Sequence, residues 1–180
     1  MERILGIDPG FGRTGWGVIE KVAGEWRAVA WGCIETSVND PFVDRLCELR
    51  DELKLVINKY KPDAVAVEDL FFAKNVKTAM KVGQARGVII LTIKESDLPL
   101  HEFTPLQIKQ AVTGYGRAEK GQMQKMVGML LKIKKKITPD DAADALAAAL
   151  TGGVSAGFLR HCSDSKTVDK KVLKKTGFVV

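Results

Sequence analysis

The sequence predicts an α/β protein in which a mixed five-stranded sheet is covered by helices on both faces. The first part of the chain is dominated by short apolar segments typical of strands, and the second part by segments with helical periodicity. Two of the apolar segments alternate with helical ones, which indicates β-α-β units with parallel strands. An antiparallel opening followed by such units gives a mixed sheet.

The first three predicted strands form a meander. Residues 4–7 are a short apolar segment that stops at an Asp-Pro-Gly turn signal at residues 8–10. Residues 15–22 and 25–35 are rich in Val, Trp and Ile, and the Ala-Gly pair at 23–24 is typical of a hairpin turn. The opening of the chain is therefore predicted to be antiparallel.

The elements that follow alternate between helix and strand. Apolar residues repeat at helical spacing from Phe42 to Ile57, with Pro41 suited to the first turn. The short apolar runs 64–67 and 100–103 are typical of strands, and the first of them reads as a strand buried on both faces. Thr138 is suited to cap the last helix. The later predicted helices are 78–93, 105–112, 119–135 and 139–150.

Length and charge predict one domain, residues 1–153, followed by a basic tail, residues 154–180. A chain of 180 residues with 46% hydrophobic residues is ordinary for one folded domain. The tail is polar and rich in lysine, so we expect it to be flexible without a partner. The formal net charge of +6 favours a polyanionic partner but does not identify one.

Nothing in the sequence indicates secretion or insertion into a membrane. The N-terminus lacks the apolar core of a signal peptide, and no stretch approaches the roughly 20 apolar residues that span a bilayer. Cys33, Cys47 and Cys162 are widely separated and form no CxxC pair, which predicts reduced thiols. We therefore expect a cytoplasmic protein.

Two acidic residues come directly after predicted strands. Asp8 ends the first strand, and Glu68 ends the strand at 64–67. If these strands are adjacent and parallel, both carboxylates lie at the edge of the sheet where ligands bind in open α/β folds. Taken alone, each residue fits a turn or a solvated loop equally well.

Two more acidic residues share one face of the last predicted helix. Asp141 and Asp144 are three positions apart, so both project from the same side. The many alanines of this helix would let it lie close to the sheet and bring both residues up to Asp8 and Glu68. Taken alone, Asp141 also fits a capping box and Asp144 an ordinary exposed position.

Four converging carboxylates favour a divalent metal site. Without cations they would repel one another and raise their own pKa values. Oxygen ligands select magnesium, for which Mn²⁺ can substitute. Two such ions about 3.5–4 Å apart can activate water and stabilise the leaving oxygen of a phosphodiester. The pattern therefore predicts metal-assisted phosphodiester hydrolysis.

Several short segments form a pattern whose order and spacing are more specific than any one of them. The segments are ILGIDPG at 4–10, VEDLFF at 67–72, GQARG at 83–87, IKQAV at 108–112, AEK at 118–120 and DAADALA at 141–147. In this order they resemble the RuvC family of Holliday-junction resolvases, which are crossover junction endodeoxyribonucleases. The resemblance covers the chain from residue 1 to about residue 150, and the tail has no counterpart in it.

This resemblance implies a ribonuclease H-like fold and a homodimer with two magnesium-dependent active sites. It implies an endonuclease that resolves four-way DNA junctions by paired symmetric nicks in recombination and repair. A branch-migration helicase complex is the implied working partner. At matching positions the catalytic and metal-binding residues are Asp8, Glu68, Asp141 and Asp144.

The resemblance also implies DNA-binding residues. Lys109 and Lys120 match positions that support DNA binding or catalysis, although a solvated helix face explains both without it. Phe71 matches an aromatic residue that stacks on or wedges between bases at the junction centre. The alternative role for this side chain is packing in the hydrophobic core. Helix 78–93 is similar to the family's dimer helix. The lysine-rich run 132–136 is typical of a solvated face, though it is well placed to touch a DNA arm.

Three other functions compete with this one. Residues 7–15 also resemble the phosphate loop of actin-like ATPases, which need a second nucleotide-binding domain. A protein that binds junctions without cleaving them would gain nothing from four carboxylates facing phosphate. A third possibility is a ribonuclease H-like enzyme that acts on RNA–DNA hybrids. Only a comparison of cleavage of hybrids and of junctions distinguishes it from a junction resolvase.

Overall fold

The computed structural model describes residues 2–69 and 76–155. Phe71 and almost all of the predicted tail lie outside the described residues. The strands are β1 (Arg3–Asp8), β2 (Arg13–Val22), β3 (Glu25–Glu35), β4 (Ala64–Glu68) and β5 (Leu100–Phe103). The helices are α1 (Phe42–Tyr60), α2 (Val76–Glu95), α3 (Pro105–Thr113), α4 (Lys120–Leu130) and α5 (Asp140–Val154).

The five strands form one mixed sheet in the order β3-β2-β1-β4-β5. β1, β2 and β3 are an antiparallel meander, and Ala23 and Gly24 form the predicted hairpin turn with φ values of 51° and 85°. β4 pairs in parallel with both β1 and β5. The predicted mixed sheet is confirmed, and the carboxyl ends of three parallel strands meet at one edge.

Helices cover both faces of the sheet, as predicted. Leu5, Ile7 and Val67 face α1 and α2 in one buried cluster. The alternate positions Ile4 and Ala66 face α3, α4 and α5 in a second cluster. This alternation follows from the two-residue period of a strand, and it buries the central strands completely.

Helix α5 lies unusually close to the sheet. A Cβ atom at Gly6 would lie 1.9 Å from the carbonyl oxygen of Ala145 and 2.8 Å from the Cβ atom of Ala149. At Gly15 it would lie 2.0 Å from the carbonyl oxygen of Asp141. Glycines on the strands and alanines on the helix thus allow the close packing that the sequence predicts.

The prediction that one helix continues to Lys135 is wrong, because α4 ends at Leu130. Lys132 adopts a left-handed φ of 56°, and the N–H of Ile133 donates to the carbonyl of Gly128 at 2.8 Å. Ile133 then packs against the core. The free energy gained by packing the Ile133 side chain against the core outweighs the free energy of extending the helix.

The predicted starts of three helices, α1, α4 and α5, are also wrong by one residue. Helix α4 begins at Lys120, and Glu119 is its N-cap. Pro139, not Thr138, is the N-cap of α5, and no side chain caps the helix. Because α5 begins at Asp140, the capping box expected for Asp141 does not form. Pro41 likewise occupies the N-cap of α1 instead of its first turn. Both prolines have extended backbone, and each helix therefore starts one residue later than predicted.

We predict that Gly6→Ala destabilises the protein, because the added Cβ atom overlaps the backbone of α5 and forces the helix away from the sheet. Overpacking of this kind costs about 1–3 kcal/mol or more, which urea denaturation would measure. Gly121→Ala in α4 is the control, since nothing lies within 4 Å of its Cβ position. Equal stability of wild type and Gly6→Ala would contradict the close packing.

Candidate active site

A cavity of about 270 Å³ opens at the carboxyl ends of β1 and β4. Asp8 and Glu68 enter it from the two strand ends, and Asp144 enters from α5. These carboxylates meet because β1 and β4 are parallel neighbours and α5 packs tightly across them. The cavity is also lined by Pro105, Ile108, Lys109, Lys120, Met123 and Ala147.

Asp141 lies beside this cavity and does not line it. Its Oδ2 atom is 3.0 Å from Nη2 of Arg13, at the start of β2. The Nε atom of Arg13 is also 3.4 Å from Oε1 of Glu35 on β3. Arg13 therefore ties the first turn of α5 to the edge of the sheet.

Two lysines bring positive charge to the acidic cavity. The Nζ atom of Lys120 is 3.5 Å from Oδ2 of Asp144 and 3.5 Å from Oδ2 of Asp140. Lys109, on α3, lines the same cavity and acts electrostatically on Glu68. The cavity thus contains three carboxylates with two cations at its wall.

The strand carboxylates hold protons near neutral pH. Burial, reinforced by the negative charges of Glu68 and Asp144, raises the pKa of Asp8 to about 8, although Lys120 opposes this shift. Burial and the charge of Asp144 raise the pKa of Glu68 to about 7 against the effect of Lys109. A cation at this site would relieve both penalties.

The Asp144 carboxyl follows the same rule. Burial raises its pKa, and the positive charge and hydrogen bond of Lys120 act in the opposite direction. The lysine offsets part of the cost of placing a third carboxylate here. The site is strongly biased toward binding additional positive charge.

The donor chemistry of this site fits a hard divalent cation. Carboxylate oxygens are the ligands such ions prefer. In the described residues, however, no three acidic, His or Cys side chains are arranged to hold one ion together. Arg13 and Lys120 engage Asp141 and Asp144 instead, so an ion would have to draw these carboxylates away from their present partners.

Sequence reasoning missed Arg13 and the apolar walls of the cavity. Arg13 lies in the segment that resembles the ATPase phosphate loop, but that resemblance assigns it no role, and its pairing with Asp141 requires β2 and α5 to meet. The walls contributed by Ile108 and Met123 are buried positions of α3 and α4 that sequence periodicity assigns only to a core. Phe71 lies outside the described residues.

Comparison with protein families connects this fold and site to known proteins. The family model for crossover junction endodeoxyribonuclease RuvC matches residues 4–152. The crossover junction endodeoxyribonuclease RuvC of Petrotoga mobilis is 55% identical over 150 residues, which cover 83% of this chain and 92% of that protein. The similarity therefore extends through every element from β1 to α5.

Solved structures give the same result. T. thermophilus RuvC in complex with a Holliday junction substrate has a TM-score of 0.76 and 32% identity, covering 84% of this chain and 92% of that one. The yeast mitochondrial Holliday junction resolvase Ydc2 has a TM-score of 0.63 at 14% identity, covering 92% of this chain and 80% of that one. The yeast protein shares the fold alone, and together the two confirm the predicted ribonuclease H-like architecture.

We predict that, without divalent cations, the free energy of unfolding falls as the pH rises from 5 to 8. The pKa of Asp8 is about 8 in the folded protein and close to 3.8 when unfolded. Between these values the folded state binds a proton that the unfolded state has lost, so raising the pH favours unfolding. Urea denaturation in EDTA at both pH values would measure this.

Asp8→Asn should reduce this loss of stability, because it removes the buried carboxyl. Glu52→Gln is the control, since Glu52 is exposed on α1. If the free energy of unfolding falls by the same amount between the two pH values in Asp8→Asn and in wild type, the pH dependence does not come from Asp8.

Proposed function

The chain belongs to the RuvC family of crossover junction endodeoxyribonucleases, and on this basis we propose which residues, cation and assembly it uses to resolve Holliday junctions. The observation that carries the proposal is the convergence of Asp8, Glu68 and Asp144 in one cavity walled by two lysines. Family membership decides against an ATPase, a binding protein without cleavage and a nuclease for RNA–DNA hybrids.

Asp8, Glu68, Asp141 and Asp144 are the proposed catalytic and metal-binding residues. Asp8, Glu68 and Asp144 line the cavity. Asp141 lies on the same face of α5 as Asp144, beside the cavity. Release of Asp141 from Arg13 would let it join the other carboxylates. Magnesium is the proposed cation, with two ions per site and Mn²⁺ as a substitute, because all four donors are carboxylates.

Lys109 and Lys120 are the proposed phosphate-binding residues of the active site. Both lie in the cavity wall, and Lys120 already pairs with carboxylate oxygens that resemble those of a phosphate. A phosphodiester entering the cavity would replace these contacts with its own oxygens. The two lysines would thereby hold the scissile phosphate above the carboxylates.

The proposed reaction is hydrolysis of a phosphodiester in a four-way junction. Bound magnesium would supply Lewis-acid stabilisation of phosphate oxygens and make water a better nucleophile. The water oxygen forms a bond to phosphorus, the bond to the 3′ oxygen breaks, and that oxygen takes up a proton. The products are a 5′-phosphate and a 3′-hydroxyl, and two such nicks placed symmetrically resolve the junction.

We propose a homodimer that pairs through α2. Met80, Gly83, Gly87 and Leu91 recur at helical spacing and are all exposed. Met80 is 65% and Leu91 59% exposed, and the glycines have nothing within 4 Å of their Cβ positions. Small residues between apolar ones allow two helices to approach closely. A two-fold dimer also matches the two equivalent strands that a junction presents.

Other predictions from the sequence remain proposals. Phe71 is proposed to stack on bases at the junction centre, residues 154–180 to form a basic flexible tail, and a branch-migration helicase complex to be the working partner. The proposed location is the cytoplasm, where Cys33 and Cys47 would stay as the free thiols that the structure describes. None of the helices in residues 2–69 and 76–155 is long and apolar enough to cross a membrane.

We predict that Asp144→Asn abolishes junction cleavage while binding persists, because the change removes a carboxylate but not the phosphate contacts. The loss should exceed the roughly 10–100-fold typical of changes around a metal site. The measurement is cleavage of a mobile four-way junction in Mg²⁺, beside a matched linear duplex and an RNA–DNA hybrid.

Asp51→Asn is the matched control, since Asp51 is exposed on α1, which packs on the opposite face of the sheet from α5. It should retain cleavage. Products ending in 3′-phosphate, or full activity of Asp144→Asn, would contradict the proposed reaction.

We predict that Leu91→Glu converts the dimer to a monomer, because it places a charge on the exposed apolar stripe of α2. Sedimentation velocity would measure the oligomeric state, and loss of paired nicking should accompany dissociation. Leu130→Glu is the control, since Leu130 is an exposed leucine on the opposite side of the sheet. A Leu91→Glu variant that stays dimeric would place the interface elsewhere.

A further inference from the structure

A groove lined by lysines runs beside α4, outside the active-site cavity. It lies between α4 and residues 131–137 and has a volume of about 760 Å³. Gly121, Gly128, Met129 and Ile133 contribute to its floor. We call it the lysine groove, after the residues that line it, Lys125, Lys132, Lys134, Lys135 and Lys136.

The backbone that carries most of these lysines is held in place by the core. Leu131 and Ile137 are buried at the two ends of the segment, and Ile133 packs inward between them. The lysines point outward because the apolar residues of the same segment point inward. The Nζ atom of Lys135 lies 5.2 Å from the centre of the Trp31 ring, which limits its motion further. The backbone positions of these lysines are therefore set by the core before any partner binds.

Much of this charge is not neutralised by the protein. Lys132 pairs with Glu25 on β3. Across residues 2–69 and 76–155, no ion pair involves Lys125, Lys134 or Lys135. Keeping like charges together costs free energy unless a polyanion binds them. An anionic partner with regularly spaced charges fits this arrangement.

Helix α4 lines both the groove and the active-site cavity, with different residues facing each. Asp140 interacts with residues of both regions. Gln124 and Lys136 line the groove, and Lys120 lines the active-site cavity. The hydrogen bond from Gln124 and the positive charges of Lys120 and Lys136 lower the pKa of Asp140 below its ordinary value. Lys120 also contacts Asp144 in the catalytic cavity. From Lys120, α4 extends for 11 residues along the groove, or about 16 Å at about 1.5 Å per residue.

We propose that the lysine groove binds the sugar–phosphate backbone of a duplex arm of the junction, about five base pairs from the cleaved phosphate. The distance follows from the length of α4 and the rise of about 3.4 Å per base pair of B-form DNA. This inference rests on the proposed function, because the distance is counted from a scissile phosphate held at Lys120. The helix shared with the catalytic cavity favours DNA over an acidic protein as the partner.

The test measures junction binding as a function of salt concentration. Replacing Lys134, Lys135 and Lys136 together by Gln should weaken binding about tenfold or more at low salt. It should also make the plot of log affinity against log salt shallower, by about 1 for each phosphate that the protein no longer neutralises. The same three residues replaced by Arg should keep the wild-type slope, because Arg retains the charge.

A matched control removes the same charge elsewhere. Lys54 and Lys59 on α1, and Lys61 directly after it, lie on the other side of the sheet. Replacing these three by Gln should leave the slope unchanged. Unfolding curves of all variants establish that each is folded. If the triple Gln variant is unstable, the single variants Lys134→Gln and Lys135→Gln test the groove, because each should make the slope shallower than that of the wild type.

The position on the DNA is tested with neutral methylphosphonate linkages placed about five base pairs from the cleavage site. These linkages should weaken binding by the wild type but have little further effect on the Gln variant. Equal weakening in both proteins, or a wild-type slope in the Gln variant, would overturn the inference. Cleavage by the wild type is measured in parallel, so a failure of the resolvase proposal would be recognised separately.

Discussion

The close contact between α5 and the sheet is the constraint on which the rest of the site depends. At Gly6 and Gly15 the helix backbone occupies the space where a side chain would begin. Ala145 and Ala149 complete this contact from the helix side. Because van der Waals overlap rises steeply with small displacements, the position of α5 is well defined. The helix carboxylates are thereby placed at the same edge as the strand carboxylates.

Placing several carboxylates together has an electrostatic cost that the fold offsets only in part. Lys109 and Lys120 stand in the cavity wall, and Arg13 binds Asp141 outside it. These cations do not cancel the effect of burial, since the pKa values of Asp8 and Glu68 stay near neutrality. A site of this kind gains stability from any further cation, and its own cations become available to phosphate when one binds. Binding of cation and DNA would then support each other.

Most of the fold could be predicted because it depends on local patterns. The strands and the helices α1 and α3 follow from apolar spacing and turn residues that lie within each segment. The end of α4 could not be predicted in this way. Lysines favour helix, yet Ile137 is buried in a core assembled from distant elements and Ile133 packs against it partly buried, and these contacts end the helix at Leu130. Because α4 ends at Leu130, residues 131–137 form a separate segment, and this segment lines one side of the lysine groove.

The sequence by itself determined the sheet, the acidic residues at two strand ends and the alanine-rich helix with its paired aspartates. Each of these is encoded in neighbouring residues, and the family motifs follow the same segments. Only the tertiary structure decided that Asp144 enters the cavity while Asp141 pairs with Arg13, and that Lys136 and Lys120 both act on Asp140. The physical reason is that these contacts join residues far apart in the chain. Their energies act only after α5 has packed against the sheet, and no local pattern records them.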